Sequence, residues 1–315
     1  MFKLNGTVFR ASLLTLIGIT GLESVQFWIG IHFCIVYVFA LFGNPLLLVI
    51  IKSECSLHEP MYLFLAMLGA TDIALSKCIL PKMLGIWFHL AEVYFEVCLL
   101  QMWFIHTFQC IESGILLTMA LGCYVAIWDP LRHATIFTHQ LLTQIGVGVT
   151  LRAALLVATC IILIKCWLKF YWTTVVSHSY CEHMAIMKLA ADDVWINKIF
   201  GWFVAFSVLG FDIIFFTHSY IQIFIAVFNL PQKETRLKAF DTYIAHSCIF
   251  LEFYLLVFFS FFIHRFGFQN PSYIHILLLI LYLLLPPFLN PLVYRVKTKQ
   301  IRDRVSKLFH SKNPS

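Results

Sequence analysis

Three ionisable side chains that could do chemistry lie inside apolar stretches of the sequence. His106 and Glu112 stand in a run that is almost wholly apolar over residues 98–128, and Asp72 stands in another apolar run over residues 61–84. Ionisable groups are costly in hydrocarbon, so such residues normally face a bundle interior or a cavity and often mark function. The pattern therefore indicates buried polar sites within a membrane protein.

The two carboxylates form one candidate site. At ~1.5 Å per residue, Asp72 lies ~17 Å and Glu112 ~22 Å from the inner ends of their helices, so the two groups stand at similar depth. Asn44 and Asn290 are available as partners. Such a pair could hold a cation such as sodium, or it could share a proton as a hydrogen-bonded pair. Both interpretations stay open at this point.

A candidate ligand-binding face follows from helical spacing. Four side chains recur at intervals of three and four residues, which places them on one face of a helix: Met102, His106, Gln109 and Ser113. Arg265 stands at the outer end of a later apolar span, and a guanidinium pairs bidentately with carboxylates. His106 and Arg265 around an aromatic-rich cavity would suit a small amphiphile with an anionic head. A histidine that only packs within the bundle is the alternative.

The composition indicates an integral membrane protein and gives no sign of an enzyme. Of the 315 residues, 61% are hydrophobic and only 12% are charged, whereas a soluble domain carries roughly 25% charged residues. The sequence has no phosphate-binding loop, dinucleotide-binding glycine motif, nucleophile elbow or zinc-protease motif. Its 10 cysteines show neither paired nor histidine-flanked zinc-ligand spacing. We therefore expect no catalytic activity, no metal centre and no cofactor.

Seven apolar spans, each long enough to cross a bilayer as a helix, must position these side chains. The chain then ends in an amphipathic segment with Ile301, Val305 and Leu308 on one side. The sequence predicts an all-α membrane protein, a seven-transmembrane helix bundle. The spans cover about residues 27–51, 61–84, 98–128, 141–164, 197–228, 239–264 and 273–295.

The distribution of basic residues predicts the orientation. With the N-terminus outside and the C-terminus inside, more than half of the 22 Lys and Arg residues fall in inner segments, as the positive-inside rule requires. We expect residues 1–26 to be extracellular, residues 27–295 to form the transmembrane domain, and residues 296–315 to form a cytoplasmic amphipathic helix and tail. The net charge of +6 then suits the lipid bilayer and cytosolic partners, and not nucleic acid.

Two extracellular features depend on that orientation. Cys98 and Cys181 both face an oxidising compartment, where disulfides persist. A bridge between them would pin the long second outer loop over the mouth of the bundle, and two free thiols are the alternative. Asn5 begins an N-glycosylation sequon in the outer N-terminal segment.

The last span carries a candidate switch. Pro291 follows Asn290 near the inner end of the span, and Tyr294 comes three residues later. Proline removes a backbone hydrogen bond and kinks a helix, so this segment is a plausible hinge.

The order of these motifs is similar to that of one receptor family. Gly43-Asn44 stands in the first span, LHEPMYLFL in the first inner loop, DPLRH after the third span, SHSYCEHM in the second outer loop and PPFLNPLVY at the end of the last span. The combination resembles the odorant (olfactory) receptors, which are rhodopsin-like G-protein-coupled receptors. LHEPMY, QMWFIH and FFSFFIHRFG resemble in particular the class I, or fish-like, branch and its family 52. The resemblance covers residues 10–310.

This resemblance implies a function. Such a receptor sits in the plasma membrane, binds a small volatile odorant in the outer half of the bundle, and signals through a heterotrimeric stimulatory G protein to cyclic AMP. Class I receptors often recognise carboxylic acids. The matching positions are His106 and Arg265 for the acid, Tyr254 for the aromatic switch of helix six and as a ligand contact, Asp72 and Glu112 for the ion site, and Cys98 and Cys181 for the core disulfide.

One departure from the family pattern bears on signalling. Where the family has Asp-Arg-Tyr at the inner end of the third helix, this sequence reads Gly122-Cys123-Tyr124. The missing arginine normally meets the G protein, and a helical glycine costs about 1 kcal/mol relative to alanine. A coupling-deficient receptor, or the product of a decaying receptor gene, is therefore an alternative to an active receptor. A membrane transporter is a more remote one, because the sequence has no internal repeat.

Overall fold

The computed structural model describes residues 8, 10, 12–19, 21–22, 24–87, 91–129, 135–228, 236, 244, 247–259, 272–297 and 299–310. The helices within these ranges are α1 (Gln26–Ser53), α2 (Pro60–Trp87), α3 (Phe95–Trp128), α4 (His139–Trp167), α5 (His183–Leu189), α6 (Trp195–Ala205), α7 (Phe211–Phe228), α8 (Ser247–Phe259), α9 (Ser272–Lys297) and α10 (Lys299–His310). A short 3-10 turn, Cys55–Leu57, joins α1 to α2.

Six helical stretches of the described chain are long and apolar enough to cross a membrane: α1, α2, α3, α4, the continuous stretch from α6 to α7, and α9. Their bounds agree within a few residues with six of the predicted spans. The remaining span, 239–264, is represented by the shorter apolar helix α8, and its other residues except residue 244 lie outside the described chain. Long apolar runs form helices here because a bilayer offers backbone groups no water, so each must be satisfied within its own segment.

The fifth span contains a break in its helical pattern. Between α6 and α7 the backbone forms a π-helical segment, Phe206–Gly210. A π segment changes the face that the following residues present, and such segments are frequent at functional sites. Val208 of this segment is buried and lines the cavity described below.

Helix α3 is the centre of the bundle, because it packs against α2, α4 and α7. Because this position buries much of α3 against other helices, polar and ionisable side chains on this apolar helix can avoid contact with lipid. Glu112 is 1% exposed and Gln109 is 8% exposed, so both face other helices and not lipid. Apolar side chains on the peripheral helices face outward instead, as Phe42 of α1 does with 74% of its surface exposed.

A three-stranded sheet, which the sequence did not predict, lies at the end of the bundle where α3 begins. Its central strand β1 (Leu13–Leu16) pairs antiparallel with β2 (Glu92–Tyr94) and parallel with β3 (Val175–Val176). Side chains alternate along a strand, and Leu14 and Leu16 are fully buried on its inner face. We call this end of the bundle, which also holds Cys98 and Cys181, the disulfide end.

The amphipathic helix α10 packs on the opposite end of the bundle. Ile301 and Val305 are buried in the same core cluster as Leu47 of α1. Arg304 adds an ion pair, with its Nε 2.7 Å from Glu54 Oε1. The apolar side predicted from the sequence therefore turns toward the helices, at least at these two positions.

Candidate functional site

A cavity of about 290 Å³ lies among the helices next to the loop that carries Cys181. This volume is at the small end of the range for small-molecule sites, about 300–1,000 Å³. Much of its wall is apolar, as expected for a site that binds a small organic molecule. The apolar lining includes Val157 and Ile161 of α4, Val204 of α6, Val208, Phe253 and Val257 of α8, and Leu279 of α9.

Three of the predicted ligand residues, Met102, His106 and Gln109, line this cavity. His106 Nδ1 and Gln109 Oε1 lie 3.1 Å apart, which fixes the imidazole against its own helix. The other ring nitrogen, Nε2, is buried and has no hydrogen-bond partner in the described part of the chain. A buried polar atom without a partner is costly, so Nε2 is the atom of this wall that a ligand would satisfy.

The loop between α4 and α6 adds polar residues that sequence reasoning missed. Tyr180, Glu182 and His183 all line the cavity. Glu182 caps the short helix α5, because its Oε2 accepts the Ala185 N–H at 2.7 Å. Burial, and then the positive charge that His106 can carry, lower the pKa of His183 to about 4, so its ring is neutral at pH 7. The only signal in the sequence was their closeness to Cys181.

Covalent and polar contacts hold this loop over the cavity. Cys98 at the start of α3 is disulfide-bonded to Cys181, and both are fully buried. Gln101, one turn further along α3, accepts the Cys181 N–H at 3.2 Å and donates to the carbonyl of Cys78 at 2.9 Å. One side chain thus links the loop, α3 and α2.

Beneath the cavity, a buried network joins three helices. Ser113 of α3 donates a short hydrogen bond to Asp212 of α7. Tyr254 Oη of α8 lies 2.7 Å from Ser113 Oγ and 3.3 Å from Asp212 Oδ2. Tyr254, which the sequence placed among the ligand contacts, is absent from the cavity lining, whereas its neighbour Phe253 lines it. Asp212 was missed, although a carboxylate inside an apolar span was the available signal.

The sequence profile of the olfactory receptors matches residues 33–312 of this chain. The chain belongs to the olfactory receptor family. It is 69% identical to human Olfactory receptor 52A5 over 309 residues, which cover 98% of each chain. It is 68% identical to human Olfactory receptor 52A1 over 308 residues, which cover 98% of this chain and 99% of the relative. The crystal structure of squid rhodopsin superposes with a TM-score of 0.72 at 16% identity, covering 91% of this chain and 86% of that one.

These similarities confirm several sequence predictions. The protein is a seven-transmembrane, multi-pass receptor of the plasma membrane, and family 52 contains its relatives reported above. It is a receptor and not an enzyme, and its family implies an odorant as ligand and a G protein as partner. The transporter alternative is thereby excluded.

The receptor brings its candidate ion-site residues together in the middle of the bundle. Asp72 Oδ2 accepts a hydrogen bond from Asn290 Nδ2 at 3.0 Å, and Glu112 interacts with both Asn290 and Asp72. Asp72 Oδ1, Glu112 Oε1 and Asn290 Oδ1 are buried with no hydrogen-bond partner in the described chain. No group of three His, Cys, Asp or Glu side chains within the described ranges is placed to hold a metal ion.

Glu252 of α8 is a further acidic residue of this region. Its charge acts on both Asp72 and Glu112, and its Oε1 is buried without a hydrogen-bond partner among the described residues. The sequence showed Glu252 only as a carboxylate with apolar neighbours. Its approach to the other two carboxylates depends on where α8 lies in the bundle, which no local sequence pattern records.

The switch segment of α9 is joined to α1 at a close approach. Pro291 has no N–H, so the carbonyl of Pro287, four residues earlier, loses its helical partner. Asn44 Nδ2 donates to that carbonyl at 2.8 Å. A Cβ on Gly43 would lie only 3.0 Å from Pro291 Cγ, so the two helices meet where glycine leaves room. Tyr294 is described only as part of α9.

The candidate coupling residues lie near the end of α3 away from the disulfide. Gly122 is buried, and Cys123 and Tyr124 are half-buried. A Cβ on Gly122 would meet only the Phe137 ring, at 3.8 and 4.0 Å, which is ordinary contact. The local packing therefore accommodates a Cβ at this position. Two other sequence-predicted residues, Arg265 and Asn5, lie outside the described residues.

Proposed function

We propose that this olfactory receptor binds a small volatile carboxylic acid in its cavity and signals through a stimulatory G protein to cyclic AMP. The observation that carries the proposal is the unpartnered His106 Nε2 at the wall of a largely apolar cavity. In the proposed complex the Gln109 amide is turned so that its Nε2 takes the place of the Oε1 that lies 3.1 Å from His106 Nδ1. The amide then donates to Nδ1, and the imidazole, with its hydrogen on Nε2, donates to a carboxylate. An alkyl chain then fills the apolar part of the cavity.

The same geometry offers a route from ligand to signal. Ser113 lines the cavity and also belongs to the network with Asp212 and Tyr254. A ligand that contacts Ser113 can therefore bias how α3, α7 and α8 pack, which is the kind of differential contact that shifts a receptor between two states. On this proposal Tyr254 acts as a switch residue beneath the ligand.

We propose that the disulfide end faces the outside of the cell and that Asn5 is glycosylated there. The basic residues of the opposite end and the disulfide itself support this orientation. Treatment of whole-cell receptor with an N-glycosidase should lower the apparent mass of the native chain but leave Asn5→Gln unchanged. An unchanged mass for both proteins would contradict the glycosylation.

Gly122 and Cys123 favour a second candidate function, a receptor that binds odorant but couples poorly. The test compares cyclic AMP in cells that express the native chain or Gly122→Asp/Cys123→Arg, across a panel of aliphatic acids at matched surface levels. Cys55→Arg is the control for an arginine added elsewhere at the same end of the bundle, because Cys55 is an exposed thiol there.

The outcomes separate the two candidates. A response from the repaired receptor alone would support the hypothesis that the native chain couples poorly, and it would also support acid binding in the cavity. Responses from both would show that the arginine is dispensable in this chain. Silence from both across the acids, with the control also silent, would count against a carboxylic acid as the ligand.

The ion site remains a proposal with two forms. Buried carboxylate and amide oxygens fit a hard cation such as sodium, and they equally fit a proton held between Asp72 and Glu112. A sodium titration at constant ionic strength distinguishes them, because bound sodium should change odorant affinity in the native receptor but not in Asp72→Asn. Sodium-independent affinity in both would favour the shared proton.

A further inference from the structure

The wall of the cavity carries a lysine that no sequence motif assigned. Lys198 lies on the first turn of α6 and is among the residues that line the cavity. It is half-buried, and its amine has neither a carboxylate nor a hydrogen-bond acceptor as a partner within the described chain. An ammonium at the wall of a cavity loses part of its contact with water, and an anion inside the cavity would offset that cost.

The lysine belongs to a polar corner built by two elements. Gly201 follows it by one turn of α6, and a Cβ there would lie 3.4 Å from Cε1 of the His183 ring. That distance is ordinary contact, so the imidazole ring lies directly against this helix. His183 in turn lies close enough to His106 for the two charges to interact. Lys198, His183 and His106 therefore line the same cavity from α6, α5 and α3.

The acidic residue nearest in sequence to that corner is already engaged. Glu182 accepts backbone N–H groups from Met184 and Ala185 and interacts with the charge of Lys188. It caps α5, so its carboxylate is satisfied without Lys198. Because neutral imidazoles add no charge at pH 7, the polar corner keeps a positive excess that favours a negatively charged occupant.

We propose that Lys198 is the anchoring cation for the ligand carboxylate in this receptor, with His183 as its hydrogen-bonding neighbour. The inference rests on the proposed acid-binding function and names the residue that makes the acid preferred over an uncharged molecule of the same length. The alkyl chain then runs along Val204 and Val208, which follow Lys198 on the same stretch of helix and line the cavity. Lys198 is a specificity-determining residue in this scheme.

The test measures ligand binding without relying on G-protein coupling. Thermal unfolding of purified full-length receptor in detergent is followed with increasing octanoate or octan-1-ol, since a ligand that binds the folded state raises the midpoint. Lys198→Met keeps the length of the side chain but removes its charge, and Lys198→Arg keeps the charge. Lys165→Met is the matched control, because Lys165 is an exposed lysine of the disulfide end that pairs with Glu96 at 2.9 Å.

We expect Lys198→Met to bind octanoate about 10- to 100-fold more weakly than the native receptor, the loss that removal of a charged hydrogen bond gives. Octan-1-ol affinity should change little, and Lys198→Arg and Lys165→Met should retain octanoate binding within a few-fold. Unchanged octanoate affinity in Lys198→Met would overturn the role of Lys198 while leaving acid binding intact. No stabilisation of the native receptor by octanoate, with stabilisation by octan-1-ol, would overturn both, because the cavity would then not select acids.

Discussion

The bond between Cys98 and Cys181 should account for a large part of the stability of the disulfide end. The two cysteines are separated by 83 positions, and a crosslink that closes a loop of about that length restricts an unfolded chain by about 4.5 kcal/mol. In a bilayer α3 and α4 stay helical when tertiary packing is lost, so the part of the loop outside these two helices shrinks to residues 129–138 and 168–181. A loop of about 24 residues corresponds to about 3.5 kcal/mol. We therefore expect Cys98→Ala/Cys181→Ala to lower the free energy of unfolding by about 3.5–4.5 kcal/mol.

Tryptophan fluorescence of purified receptor, followed during titration with a denaturing detergent, measures this loss. The control is Cys55→Ala/Cys166→Ala, which removes two exposed free thiols and should leave the midpoint unchanged. Either single alanine variant should lose as much as the double variant, because one remaining thiol cannot form the bond. A double variant that loses less than about 1 kcal/mol would refute the loop-entropy reasoning. The sheet and the Gln101 hydrogen bonds would then hold the loop by themselves.

Three further perturbations test the buried polar groups. Tyr254→Phe removes the hydroxyl that contacts Ser113 and Asp212. It should lower the free energy of unfolding by about 1 kcal/mol, because two hydrogen bonds between membrane helices contribute about that much. A loss above about 3 kcal/mol would indicate a coupled network. The lowered pKa of His183 should make the native receptor easier to unfold as pH falls from 6.5 to about 4, by roughly 3 kcal/mol at most. In His183→Gln the free energy of unfolding should depend less on pH in this range, and an equal pH dependence in both proteins would contradict that pKa. Glu252→Gln should raise the thermal midpoint, because a buried carboxylate that repels its neighbours is replaced by a neutral amide; a lower midpoint would show that the charge is compensated.

The membrane-spanning helices were predictable because the length of an apolar run is enough to identify each one. A run of about 20 apolar residues has no alternative to a helix in a bilayer, so α1 and α4 appear where the sequence placed them. Family motifs then identified Cys98 and Cys181. The π segment Phe206–Gly210 could not be foreseen, because its residues are as apolar as those of the helices around it.

The polar partners of the cavity depended on contacts between distant segments. Met102, His106 and Gln109 were found because helical spacing puts them on one face. Lys198 and His183 were missed because they come from a helix start and a loop, whose approach to α3 no local pattern records. The same holds for Asp212, whose partners lie 99 and 42 positions away along the chain.

The central position of β1 in the sheet has a consequence for biosynthesis. Residues 13–16 leave the ribosome first, yet their partners at residues 92–94 and 175–176 follow only after several helices have been made. The N-terminal segment must therefore wait as an unpaired strand until β2 is made, and the sheet is complete only when the loop between α4 and α6 arrives. An epitope tag or fusion placed before residue 13 is harmless only if its linker leaves Leu14 and Leu16 free to enter the sheet. Receptor yield at the cell surface should then depend on that linker more than on the tag itself.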